Sequence, residues 1–71
     1  METKICSYTE KNERLQLVRI LEGSTMTFEI RANRVLISRF TREQALQARL
    51  VFYHCVHEIL VNRSHAMLNL T

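Results

Sequence analysis

Apolar and polar residues alternate through the first half of the chain and then change period. From Lys4 to Thr9, the residues Ile5, Cys6 and Tyr8 sit in a short β-compatible run, and the polar Glu10-Lys11-Asn12-Glu13 that follows reads as a turn. Arg14 to Leu21 places Leu15, Leu17 and Leu21 on one face and Gln16, Val18 and Ile20 on the other, so both faces are partly apolar. Leu and Arg would also suit a short helix there. Glu22-Gly23-Ser24 favours a hairpin instead, because the lone glycine supplies the positive φ of a tight turn. Thr25 to Arg31 alternates cleanly, with Met26, Phe28 and Ile30 against Thr25, Thr27, Glu29 and Arg31, as expected of a strand with one wet face. Ala32-Asn33 can turn the chain, since Asn tolerates the left-handed conformation. Val35 to Phe40 then resumes, with Val35 and Ile37 opposite Leu36 and Phe40.

At Thr41 the period becomes helical. Thr41-Arg42-Glu43-Gln44 is a capping-box arrangement, and the pattern predicts one long helix from Thr41 to about Leu68. Ala45, Leu46, Ala48, Phe52, Tyr53, Cys55, Val56, Ile59 and Leu60 fall on one broad side, and Gln47, His54, Glu58 and His65 form a thin polar line opposite. Leu50, Val51 and Val61 occupy the flanks. The apolar surface therefore covers more than half the circumference, wider than one sheet face can hide. Past Asn62 the pattern loosens, and Ala66, Met67, Leu68 and Leu70 either continue the helix onto a neighbouring subunit or fray.

These elements predict an α+β fold: a three- or four-stranded antiparallel meander followed by one long C-terminal helix packed on the sheet, with Met26, Phe28 and Ile30 as its floor. Residues 1–71 make one domain. A chain of this size buries only roughly 60% of the surface its unfolded form exposes, and needs a disulfide, a metal or a second copy for ample stability. Two cysteines, Cys6 and Cys55, are no disulfide framework, and a cytosolic setting argues against pairing them. A homodimer is the expected solution, with Leu46, Leu50, Val51, Tyr53 and Val61 at its interface.

Met1 to Gln16 holds no apolar block of seven, so no secretory signal is expected, and Leu50 to Val61 falls short of the ~20 apolar residues of a bilayer span. The expected compartment is the cytoplasm. One glycine and no proline leave no material for a linker or a glycine-rich phosphate loop.

Charge changes this picture by its distribution. The net charge is +3, yet Arg31, Arg34, Arg39, Arg42 and Arg49 lie in a segment whose only acid is Glu43, while Glu2, Glu10, Glu13 and Glu22 load the N-terminal third. Arg31 and Arg34 flank one connection and Arg39 and Arg42 another, at opposite ends of one strand. Such a set cannot form one compact pocket; across a sheet or a dimer it can form a stripe that meets carboxylates or phosphates. Arg49 and Arg63 fall in the apolar sector of the helix, where they should snorkel, pair with Glu or cross an interface.

The catalytic inventory is thin. His54 and His57 share a helix face, but Cys55 points away from both, so a zinc site is not expected. His54 and Glu58 can pair at i, i+4 as a solvated contact. No nucleophile, base and oxyanion arrangement is visible, so neither an enzyme nor a cofactor is expected. The expected function is that of a small non-enzymatic interaction protein, an inhibitor, adaptor or regulator, whose composition resembles that of accessory products of phages and mobile elements. It would bind an acidic surface of a larger protein through Arg31, Arg34, Arg39 and Arg42. The alternative is a small DNA- or RNA-binding regulator that sets the same arginines on phosphates.

Overall fold

The structure, a computed structural model, describes the backbone of residues 1–69 and the side chains as far as residue 62. Four strands, β1 (Glu2–Glu10), β2 (Glu13–Glu22), β3 (Thr25–Ala32) and β4 (Val35–Thr41), form one antiparallel sheet in the order β1-β2-β3-β4. A single 3-10 turn, Arg42–Gln44, leads into α1 (Ala45–Asn69). The chain is thus the four-stranded form of the expected meander, with one helix across it. Among the described residues no helix is long and apolar enough to cross a membrane.

Two of the reversals have a clear local cause. Glu22 pairs with Thr25 across Gly23-Ser24, and Gly23 takes φ +61° at no steric cost. Positive φ at the first central residue alone is the type II′ pattern, whose twist suits a hairpin. The β3–β4 reversal is tighter in a different way: Asn33 and Arg34 both have positive φ, +51° and +73°. Asn33 is held there by two contacts, its N–H donating to the Arg14 carbonyl at 2.8 Å and its Oδ1 accepting from the Arg14 N–H at 2.9 Å. Arg34 sits where glycine is usual. The capping box is present at the helix entrance, where Gln44 Oε1 accepts from the Thr41 N–H at 2.9 Å. It closes a 3-10 turn, and α1 itself begins at Ala45.

One alternation is corrected. Val35 and Ile37 were expected opposite Leu36 and Phe40, but the register shifts between Ile30 and Arg31, where Ile37 bulges out of the ladder. Phe40 pairs with Phe28 on the helix side, whereas Leu36 pairs with Arg31 on the other. A single extra residue reverses the face of everything beyond it.

The core is one layer contact. Leu15 and Leu17 of β2, Phe28 and Ile30 of β3, Phe40 of β4 and Ala48 and Phe52 of α1 are buried together, with Leu17, Ile30 and Ala48 fully hidden. Met26, Ala32, Ala45, Val51, Cys55 and Val56 pack around them. Ala48 at the centre lets the helix backbone approach the sheet closely. The helix rests on β2, β3 and β4. With 25 residues it is about 37 Å long, against about 27 Å for the eight-residue β3 and about 34 Å for the ten-residue β2. Cys6 and Cys55 are both free thiols. The expectations for Arg63, His65 and the docking segment 66–68 concern side chains outside the described residues, as does Leu70 altogether.

Phe52→Ala should lower unfolding free energy by about 3–4 kcal/mol through the cavity it leaves in this contact, read from urea denaturation. Arg34→Gly should act in the opposite sense, raising stability by about 1 kcal/mol, because glycine takes φ +73° without the Cβ penalty.

Candidate functional site

Without a second layer, the sheet face away from α1 has to cover itself. Antiparallel register places Glu29 beside Val18 of β2 and Arg39 of β4, with Arg31 two residues along the same strand. Arg31 Nε and Nη2 donate to Glu29 Oε1 at 3.0 and 2.8 Å, while Arg39 Nε and Nη2 donate to Glu29 Oε2 at 3.0 and 2.9 Å. Arg31 also forks onto Glu2 of β1, Nη1 to Oε1 and Nη2 to Oε2, both at 3.0 Å. The result is a chain Glu2–Arg31–Glu29–Arg39 that spans the sheet. Arg31 lies in the row of Gln16 and Glu2 in the row of Ile20, so the pair crosses diagonally over Val18. That crossing accounts for Val18 being only 5% exposed on a face with no helix.

Charge follows geometry here. Burial of Glu29 pushes its carboxyl upward, but the hydrogen bonds and charges of Arg31 and Arg39 outweigh it and hold the group below the ordinary glutamate range. Glu2 is held low by its hydrogen bonds to Arg31, and the Arg31 guanidinium is held protonated more firmly than usual by Glu2 and Glu29. Two arginines and two glutamates make the network formally neutral.

The four expected arginines therefore separate. Arg31 and Arg39 lie together on the open sheet face, engaged with carboxylates. Arg34 projects from the β3–β4 turn, and Arg42 opens the 3-10 turn at the far end of β4; both are exposed. Arg14, which the sequence pattern did not single out, joins Arg34 in a shallow polar depression lined also by Asn12 and Asn33. Only the pairing of Leu15 with Ala32 brings Arg14 to that end, so no local signal could reveal it. Arg19 was likewise missed: parity puts it on the helix side beside Phe28, where its Nε is buried and has no partner among the described residues.

The expected interface residues also divide. Leu46, Leu50 and Tyr53 lie on the outer side of α1, exposed at 71%, 61% and 56%, and Leu60 joins them at 45%. Val51 instead packs against the protein's own core, and Val61 is half-buried. His54 meets Glu58 at 3.6 Å in an exposed i, i+4 pair. Among the described residues no three His, Cys or Glu side chains gather as metal ligands.

Glu29→Gln gives Arg31 and Arg39 one acceptor to share and a clashing amide donor. Because Arg39 is largely exposed, the expected loss at neutral pH is about 1–2 kcal/mol, read from urea midpoints. The folded pKa is depressed, so the wild-type advantage should be complete above the ordinary glutamate range and fade as the pH falls through the lower folded value. The Gln variant should show a flatter acid limb.

No family model, no curated protein and no solved structure matches the chain.

Proposed function

We propose that the chain is a non-enzymatic association protein that forms a two-fold dimer along the outer side of α1. In this reading it presents arginines to an acidic surface of a larger protein, as an inhibitor, adaptor or regulator. The observation that carries the reading is the outer stripe Leu46, Leu50, Tyr53 and Leu60, left to solvent by a helix whose other side is already seated. These four recur at spacings of four, three and seven, the repeat of a helix seam. Together they expose on the order of 400 Å², at the size where apolar patches on single chains are usually functional.

A second copy is the occupant that the areas favour. Pairing two stripes removes roughly 800 Å² from these side chains alone, and flanking residues bring the contact toward the ~1,200 Å² of a stable interface. Burial of two such stripes is the gain that has to exceed the ~4–15 kcal/mol that association costs. The dimer would also carry two sets of Arg34 and Arg42. Arg31, held by both Glu2 and Glu29, weighs against a continuous phosphate-binding row.

Sedimentation at micromolar concentration should give twice the chain mass, and Leu50→Glu should give a folded monomer with unchanged helix content. A wild-type monomer would remove the dimer. Binding to a random DNA duplex should be absent near 0.15 M salt; affinity that falls steeply with log salt would favour the nucleic-acid alternative.

A further inference from the structure

The two edges of the sheet are built differently. β1 presents exposed Thr3, Lys4, Ser7 and Thr9, and a lysine on an edge discourages strand pairing. β4 presents Val35, Leu36 and Ile37, three consecutive apolar residues exposed at 66%, 45% and 51%, and carries no acid. Arg34 stands at one end of this trio and Arg39 at the other.

Backbone direction completes the picture. The two-residue loop makes Ala32 and Val35 a hydrogen-bonded pair, so alternate pairs Ile30–Ser38 and Phe28–Phe40 are bonded too. Leu36 and Arg39 therefore turn their N–H and C=O groups outward, away from β3. Thr41, the next to do so, spends its N–H on Gln44. The Ile37 bulge shortens the usable edge without closing it.

We infer that β4 is a strand-addition site for an extended peptide with apolar residues in its middle and a carboxylate at each end. Main-chain bonds to Leu36 and Arg39 supply affinity, and Val35, Leu36 and Ile37 supply apolar contacts on both faces. Arg34 and Arg39 select the acids. Arg39 has bonded Glu29 through Nε and Nη2, and its side chain is still 63% exposed. Arg34 is exposed and has no ion pair among the described residues. A second copy is a poor occupant, because pairing β4 with itself brings Arg34 and Arg42 of both chains together with Glu43 as the nearest acid in sequence, while Glu29 is already taken by Arg31 and Arg39. The inference rests on the association reading above and names the chemistry of its partner.

The test selects binders from a phage-displayed library of random seven-residue peptides. Enriched peptides should alternate β-branched or aromatic residues and carry Asp or Glu at both ends. A synthetic representative should slow hydrogen exchange of the Leu36 and Arg39 amides at least tenfold and leave β1 unchanged. Leu36→Lys should abolish binding. Arg34→Gly, which keeps the fold, should weaken it at least tenfold, and a peptide with lysines for its acids should fail equally. No enrichment over background, peptides without acids, protection mapped to α1 or β1, or displacement by a random DNA duplex would each overturn the proposal. Leu50→Glu should bind the peptide as wild type does, so the sedimentation and peptide results stand or fall separately.

Discussion

Everything in this protein is arranged around one helix pressed on one sheet face. Leu17 and Ile30 lie under Ala48 with no exposure at all, and Phe28, Phe40 and Phe52 close the ring around them. A helix has one side to give to such a contact, and a single helix covers the middle of a four-stranded sheet but not its margins. Three surfaces are left over as a consequence: the outer side of α1, the sheet face away from it, and the β4 edge.

The chain treats these three surfaces differently. On the open sheet face a neutral relay of two glutamates and two arginines lies over Val18 and substitutes for a missing layer. Its hydrogen bonds are charge-assisted and Glu29 is nearly buried, so removing one member strands its neighbours rather than deleting one contact. Among the described residues the outer helix stripe and the β4 edge have no such cover. Both are apolar, but one offers side chains alone and the other side chains with free backbone groups, so they suit different occupants.

The relay also changes what the basic charge means. Counted along the chain, the arginines look like one footprint for an anionic partner. In space, Arg31 and Arg39 are tied to carboxylates, and the guanidinium groups of Arg34 and Arg42 stand at opposite ends of β4. Arg14 comes to Arg34 from another strand. In the proposed reading, a footprint of that kind meets separated carboxylates rather than a continuous row of phosphates.

Much of the fold is legible in the sequence. Alternation of Met26, Phe28 and Ile30, the lone Gly23, the Thr41–Gln44 cap and the breadth of apolar positions after Ala45 are signals carried by neighbouring residues, and a meander of three or four strands followed by one helix follows from them. The tertiary structure alone decided the rest. It decided that Ile37 bulges and so parts Leu36 from Phe40, and that Val51 turns inward while Leu46 and Tyr53 turn out. It decided that Arg31 meets Glu2, 29 positions away. Local patterns constrain which faces exist, because period is a property of the backbone. Which faces and charges meet depends on register between distant segments, where a one-residue shift reverses a side chain and no neighbouring residue records it.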